Sequence, residues 1–392
     1  MLSKLGQIAQ KLKVFKVINL KDSKRAIQKC DVLLLCHDDD RGLSLEGKAY
    51  SPILDSFKEN LESQGYKTLT VAHPWSKLVG KKGFGNPIAV NRSYLFAVIA
   101  ERIFKFDSVK RLYKDIFTRA KPQWIVTIGC TDELCMAAHE LGIKHSELLH
   151  GIGYSPLPWG WGDKDRLCLP QEILSLDDVS TATFKPLEAQ GVKIRQIEHP
   201  FLGRFSSERI ESLPEEWKVN TDRIFGKEIL VSLQWGYAEG IDCLGKLKGI
   251  LPNGLIPEEL INVIARTQNE VLWRFRFHPV QIRNMEKYKK HFSLVKSLVE
   301  RFPNCEWEES TFKPASSVVS RCDGHITMMS MVSYEAAYMG VPSLTLCPTL
   351  LVGGVSENSF SDLVEKGYLV KGVIQEEYIL NWVRDVRKLK AD

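Results

Sequence analysis

Short apolar runs, each about the length of one buried strand, recur along the chain with helical stretches between them. This alternation constrains the fold more than any other feature of the sequence. Asp31–Cys36, Lys67–Ala72, Trp124–Ile128, Ser146–Leu149, Ile173–Ser175 and Lys193–Ile197 read as strands, and Arg166–Cys168 continues the series. Ser51–Gln64 reads as a helix ended by Gly65, Tyr94–Arg119 as mostly helical, and Asp132–Leu141 as a helix closed by Gly142. A run such as Val32-Leu33-Leu34-Leu35 is continuously apolar, as in a strand buried on both faces. Strands that alternate with helices pair in parallel, and the helices cover both faces of the sheet.

A polar, proline-bearing stretch, Arg209–Val219, interrupts the series. Strand Glu228–Leu233 opens a second one. It continues through helix 257–267, strand Val271–Phe277, helix 283–301, strand Cys305–Trp307, helix 314–321, strand Gly324–Thr327, helix 331–339 and strand Ser343–Leu346. Gln375–Leu389 reads as an amphipathic closing helix. The 392 residues therefore predict an α/β protein of two Rossmann-like domains facing across a cleft. The expected boundaries are 1–210, 211–375 and a C-terminal helix at 376–392 that either stays with the second domain or crosses back to the first. Ligands of open α/β sheets bind outside the carboxyl ends of the strands, so the loops after each strand are where function is sought.

Composition excludes several classes. Hydrophobic residues make up 44% and charged residues 26%, which rules out a largely disordered or low-complexity chain. A net charge of +5 is too mild for a dedicated nucleic-acid binder, so no nucleic acid is expected as a partner. Nine cysteines are dispersed without any C-x-x-C, which points to buried thiols in a reducing compartment. No run reaches the roughly 18 apolar residues of a membrane-spanning helix, and the start lacks a signal-peptide pattern. The expected location is the cytoplasm. Residues 2–19 carry Leu2, Leu5, Ile8, Ala9, Leu12 and Phe15 at helical spacing with lysines between them. They read either as a basic helix lying on the inner face of the cytoplasmic membrane or as a first helix packed on its own domain.

Several loops could carry chemistry. Cys36-His37-Asp38-Asp39-Asp40-Arg41-Gly42 follows the first strand, where three adjacent carboxylates repel and can raise one pKa toward that of a general base. The alternative is a solvated turn. Asp38-x-Asp40 also matches a loose D-x-D metal pattern, but the context of a nucleotide–metal site is missing and no metal is expected. Asp132 after Trp124–Ile128 is either a second candidate base or a helix-start acid. His150-Gly151, Tyr154, Trp159 and Trp161 form a Gly/Pro-rich aromatic loop on which sugar rings could stack; the bland alternative is a rigid turn with core tryptophans. In Trp273–Pro279, the aromatic residues share one strand face while Arg276 and His278 share the other, with His278 fixed by Pro279 and able to meet a phosphate. Thr327, Ser330, Ser333 and Glu335 mark a strand end, a hydroxyl-bearing turn and a helix start, an anion site by construction; a capped helix with a buried Glu335 is the alternative. Gln234 ends the strand that opens the second half.

These motifs carry a resemblance. Glu147…His150-Gly151…Tyr154 followed by Leu169-Pro170 is similar to the E-x-Q-H-G loop of capsule biosynthesis enzymes, with Leu149 where glutamine usually stands. Arg276-x-His278-Pro279 is similar to the HP motif of bacterial sialyltransferases and Kdo transferases. Ser330–Glu335-Ala336…Gly340-x-Pro342 is similar to a donor motif common in GT-B enzymes. Over about residues 120–350 the chain resembles bacterial GT-B-fold glycosyltransferases of surface polysaccharide synthesis (capsule, O-antigen or lipooligosaccharide).

The resemblance implies a nucleotide sugar as substrate, no separate cofactor and no metal. Gln234, Arg276, His278, Pro279, Thr327, Ser330, Ser333 and Glu335 would face the donor, which in the HP-bearing families is a CMP-linked acidic sugar. His150, Gly151, Tyr154, Trp159 and Trp161 would face an oligosaccharide or lipid-linked acceptor. Asp38, Asp39, Asp40 or Asp132 would supply the base, with His278 on the departing phosphate. In the families' D/E-D/E-G motif no arginine interrupts; here Arg41 does. Inversion is the default, and retention stays open. The alternatives are a UDP-hexose-dependent GT-B transferase, a GT-B-fold nucleotide-sugar 2-epimerase and a non-catalytic glycan-assembly protein.

Overall fold

The computed structural model describes residues 20–205, 209–220, 224–237, 247 and 249–389. The basic stretch 2–19 lies outside the described residues. The chain divides into two compact units between Phe201 and Leu202.

In unit 1 the elements run β1 (Val32–Cys36), β2 (Leu43–Leu45), β3 (Lys48–Tyr50), α1 (Leu54–Ser63), β4 (Thr68–Ala72), α2 (Asn91–Phe104), α3 (Ser108–Ala120), β5 (Trp124–Thr127), α4 (Asp132–Glu140), β6 (Lys144–Leu148), β7 (Glu172–Ser175), α5 (Asp178–Phe184) and β8 (Lys193–Gln196). Six strands form one parallel sheet in the order β4-β1-β5-β6-β7-β8. Strand β1, second from one edge of the sheet, is buried at every position. Its side chains alternate between two cores: Leu33 and Leu35 meet α3 and α4, and Val32, Leu34 and Cys36 meet α1.

Two local expectations are corrected, and one element is additional to them. Tyr94–Arg119 is two helices, because Lys105 turns left-handed (φ +53°) and Glu101 reaches across to accept the Val109 N–H at 3.0 Å, capping the second. Arg166–Cys168 is a helical turn rather than a strand, started by Asp165, whose side chain accepts the Leu167 N–H at 2.8 Å. The hairpin β2–β3 had no strand-length signature. Its turn, Glu46-Gly47, has both residues at positive φ, as a two-residue hairpin turn requires. A buried ion pair, Arg41 to Asp55 at 2.7 Å, holds the start of this hairpin to α1.

Unit 2 contains β9 (Lys227–Ser232), α6 (Glu258–Arg266), β10 (Val271–Arg276), α7 (Pro279–Arg283), α8 (Lys289–Arg301), β11 (Cys305–Glu306), α9 (Glu308–Phe312), α10 (Ala315–Val319), β12 (Gly324–Thr327), α11 (Val332–Tyr338), β13 (Ser343–Thr345), α12 (Ser361–Glu365), β14 (Leu369–Lys371) and α13 (Glu376–Asp385). Its parallel sheet runs β11-β10-β9-β12-β13-β14. Helix α13 belongs with this unit. It packs on α6, and the Lys227 ammonium donates to the Val383 and Val386 carbonyls at 3.0 Å, where a helix end carries partial negative charge. No helix among the described residues is long and apolar enough to cross a membrane.

In each sheet the strand order reverses beside the first strand, between β1 and β5 in unit 1 and between β9 and β12 in unit 2. Such switch points open a crevice at the carboxyl ends. Under the unit 2 sheet, Arg274 is buried and bridges Glu228 (2.8 Å), Glu306 (3.0 Å) and Glu309 (3.1 Å). Removing the cation strands carboxylates away from water. Arg274→Met is expected to cost about 3–5 kcal/mol, read as a lower midpoint in urea unfolding; an unchanged midpoint would show that the network does not stabilise the fold.

Candidate functional site

Polar side chains gather at both switch points. In unit 1, His37 follows β1 and His73 follows β4. Cys36 pairs with Ala72, so the next residues on the two strands meet, and their imidazoles lie with centroids 3.6 Å apart, tilted by 33°. His37 also rests on Gly129, after β5. A Cβ at Gly129 would lie 2.5 Å from His37 Cδ2, and its φ is +83°, so only glycine fits there. His150 follows β6 and has its Nδ1 3.0 Å from the Tyr154 hydroxyl. Burial lowers the pKa of all three imidazoles, taking His73 to about 3, and mutual proximity adds to the effect at His73 and His150. The shift favours the neutral form at all three.

The acidic run separates into distinct roles. Asp38 accepts from the Ser76 hydroxyl and from the Lys77 N–H at 2.6 Å, so it holds the loop after β4. Asp39 is exposed. Asp40 is half-buried; burial pushes its pKa up to about 6, against the His37 backbone N–H, and Asp39 adds to the rise. Arg41, which interrupts the motif, is committed to Asp55. Asp132 stands apart from this group of roles: it lies in the first turn of α4 behind the cap Thr131 and pairs with Lys164 at 2.6 Å. The raised pKa of Asp40 suits a base.

Glu147 opens the motif that leads to His150-Gly151. It is buried on β6 and accepts from the Gly129 N–H and the Thr127 hydroxyl at 2.5 Å and from the Cys130 N–H at 3.1 Å. Burial pushes it up to about 7 despite these donors. It fixes the loop on which His37 rests.

The aromatic loop has an exposed and a hidden part. Trp159 is 47% exposed and held left-handed at φ +58°, a conformation costly for a bulky residue. Its ring lies 5.5 Å from Tyr154, 6.0 Å from His150 and 5.1 Å from Trp161. Trp161 is only 4% exposed and packs on Phe184. Trp161 is therefore core that supports Trp159, a correction to its expected contact with a ligand. Gly151 is half-buried beside Tyr154.

In unit 2, His278 ends β10 and caps α7, with Pro279 as first helical residue. Its Nδ1 accepts the Val280 N–H at 3.2 Å, and the Gln281 side chain accepts the His278 N–H at 2.8 Å. Burial, then Arg283 and Arg276, lower His278 to about 4. A neutral ring with Nδ1 accepting carries its proton on Nε2. Trp235, which had no assigned role, lies 6.2 Å from this ring. Arg276 uses Nη1 on the carbonyls of Ser310, Thr311 (3.4 Å) and Lys313 (2.7 Å) at the end of α9. Burial lowers it to about 10, against the attraction of Glu335. Glu335 accepts from Ser316 at 2.7 Å and is raised by burial. Its contacts follow the buried-Glu alternative rather than a free ribose-binding carboxylate.

The remaining unit 2 candidates join β9 to β12. Gln234 accepts the Met329 N–H at 2.5 Å, the Thr327 hydroxyl donates to the Ser232 carbonyl at 2.9 Å, and the Ser330 N–H reaches Thr327 Oγ1 at 3.3 Å. Ser333 is fully buried, and its hydroxyl has no hydrogen-bond partner among the described residues. The structure thus brings together Gln234, Thr327 and Ser330 in one cluster and Trp235 with His278 in another.

No known family pattern and no curated protein sequence matches the chain. Solved structures match it over nearly its whole length. UDP-GlcNAc 2-epimerase from Methanocaldococcus jannaschii is 13% identical over 92% of this chain and 94% of its own, with a TM-score of 0.52. Its complex with UDP-GlcNAc and UDP is 12% identical over 92% and 96%, also with a TM-score of 0.52. The glycotransferase of kitacinnamycin is 13% identical over 91% and 90%, with a TM-score of 0.49. At these identities the likeness is one of fold: the chain has the two Rossmann-like α/β units of the GT-B fold.

Asp40 gives a signed pH prediction. Its pKa is raised from 3.8 to about 6, so folding disfavours its ionised form. Its relative stabilisation is present below about pH 4 and is lost as pH rises through about 6. Asp40→Asn is expected to exceed the wild type in stability by about 1–2 kcal/mol near pH 7, allowing for solvent at a half-buried carboxyl, with the gap closing toward pH 4. Urea melts at the two pH values measure it. A gap independent of pH would assign the perturbed carboxyl elsewhere.

Proposed function

We propose that the chain is a glycosyltransferase with a nucleotide-sugar donor, unit 2 holding the donor and unit 1 holding the acceptor and supplying the base. The observation that carries this proposal is the state of His278. A neutral imidazole pinned at a helix start through Nδ1 offers Nε2–H to a phosphate oxygen, and such a fixed donor strengthens as the leaving group gains charge. The Thr327–Ser330 turn lies at the same edge of the sheet.

The donor we favour is a CMP-linked acidic sugar, of sialic-acid or Kdo type. A single phosphate needs fewer cations than a diphosphate, and Arg276 already commits Nη1 to three carbonyls. In the proposed step the Asp40 carboxylate takes the acceptor hydroxyl proton. The acceptor oxygen bonds to the anomeric carbon, the bond from that carbon to the phosphate oxygen breaks, and the nucleotide leaves with the electron pair. A single displacement inverts the anomeric centre. The acceptor is an oligosaccharide or lipid-linked glycan stacked on Trp159, in a bacterial surface-polysaccharide context that would place the enzyme in the cytoplasm. A second proposal, a nucleotide-sugar 2-epimerase acting on a UDP sugar, draws support from the fold shared with the Methanocaldococcus enzyme in complex with UDP-GlcNAc and UDP.

Thermal shift with CMP, UDP, GDP and ADP, with and without magnesium, separates these. Saturation at about 100 times Kd adds roughly 2.7 kcal/mol and moves the melting point by several degrees. CMP alone is expected to shift it, without need of magnesium. A UDP shift would favour the epimerase or a UDP-hexose transferase, and no shift with any nucleotide would overturn the proposal. His278→Asn keeps a good cap acceptor but removes Nε2–H. It is expected to lower kcat roughly 10²–10³-fold with the melting point preserved; normal turnover would remove His278 from the site.

A further inference from the structure

Helix α2 buries one face and leaves the other apolar. Tyr94, Ala97 and Val98 pack into the unit 1 core. On the opposite side Phe96, Ile99 and Ile103 are 63%, 41% and 65% exposed, and their spacing makes one stripe. Phe104 and Phe106 extend it through the turn to α3, both exposed, with rings 6.0 Å apart. Isolated exposed apolar side chains are ordinary; a contiguous stripe of large ones marks a contact surface.

Cations frame the stripe. Arg92 precedes Phe96 by about one helical turn, Arg102 and Lys105 are exposed beside Ile103, and the Arg111 guanidinium lies over the Phe106 ring at 5.6 Å. The neighbouring acids have partners: Glu101 accepts the Val109 N–H, and Asp107 pairs with Lys110 at 3.0 Å. The chain also enters the described structure at this helix. Asp22 bridges Val90, and its carboxylate accepts the Ser93 N–H at 2.8 Å at the start of α2. In the sequence, residues 1–19 contain Lys4, Lys11, Lys13 and Lys16 and no acid.

We propose that the α2 face docks on an anionic lipid surface, with Phe96, Ile99, Ile103, Phe104 and Phe106 among the acyl chains and Arg92, Arg102, Lys105 and Arg111 at the headgroups. Charge selects this occupant. Residues 1–19 folded back on the stripe, or a second copy laid against it, would bring cations against cations. An anionic bilayer neutralises both sets while burying the apolar stripe. The surface is independent of the sugar-transfer proposal, and its test reads binding rather than turnover.

The experiment is flotation of the full chain with phosphatidylcholine vesicles, with and without about 25% phosphatidylglycerol. The wild type is expected to float with the anionic vesicles, weakly with the neutral ones, and to be released as salt rises. Replacing Phe96, Ile99 and Ile103 together by Ser is expected to lower the bound fraction roughly tenfold or more with the melting point unchanged. Arg102→Gln with Lys105→Gln is expected to lower it several-fold. The proposal is overturned if the wild type ignores anionic vesicles, if it binds neutral ones equally, or if the serine variant binds as the wild type does, which would assign binding to other residues. It is also overturned if sedimentation shows a wild-type dimer that the serine variant dissolves. Should the serine variant fail to fold, the glutamine variant decides, and wild-type binding by it overturns the proposal.

Discussion

Burial of the first strand of each sheet on both faces is the constraint on which the rest depends. β1 and β9 have helices above and below, so their side chains are spent on packing, and polar groups within the sheets must satisfy one another. Many do so in sets: Arg274 with Glu228, Glu306 and Glu309; His325 between Ser232 and Ser343 at 2.9 Å each; Thr127 with Glu147 and with His145 Nε2. What remains free to meet a ligand is pushed to the carboxyl edge. Candidate chemistry lies there because the fold leaves it little room elsewhere.

Much of this was legible in the sequence. The runs Val32-Leu33-Leu34-Leu35 and Ile229-Leu230-Val231 are short and continuously apolar, as strands buried on both faces are, and both are interior strands of their sheets. His278 was legible as a strand-end residue fixed by Pro279, but its role as the cap of a short helix at Pro279–Arg283 was not, because the expected helix was 283–301. The base was legible only as a group. Asp38, Asp39 and Asp40 are identical in sequence, and what separates them is the Ser76–Lys77 turn that holds Asp38 and the burial that reaches Asp40. His73 was not legible because its role depends on β4 lying beside β1 in register, a pairing between residues far apart in the chain. The hairpin at Glu46-Gly47 and the break at Lys105 were missed because turn chemistry outweighed periodicity over a few residues.

The aromatic loop shows how placement separates function from support within one motif. Trp159 and Trp161 are two residues apart and equally suited to stacking on a sugar. Left-handed backbone at Trp159 and Gly160 turns the chain so that one ring is half-exposed and the other enters the core with Phe184. The strain at Trp159 persists because the packing beneath it over-determines the turn. A pattern of tryptophans can therefore suggest a carbohydrate platform, but only the backbone decides which ring belongs to it.

Neutral imidazoles are the common chemical theme of the two switch points. Burial holds His37, His73, His150 and His278 below their ordinary pKa, and close neighbours add to the effect at His73, His150 and His278. A cationic imidazole binds any anion and loses selectivity to salt. A neutral one reads hydrogen-bond geometry, with one nitrogen donating and one accepting. At His278 the choice is fixed by Val280, which occupies Nδ1 and leaves Nε2–H as the donor. At the His37–His73 pair the short separation disfavours double protonation, because two like charges with ring centroids 3.6 Å apart repel. At the half-buried Asp40, beside His37, burial acts in the opposite sense on a carboxylate and pushes its pKa up to about 6, with Asp39 adding to the rise.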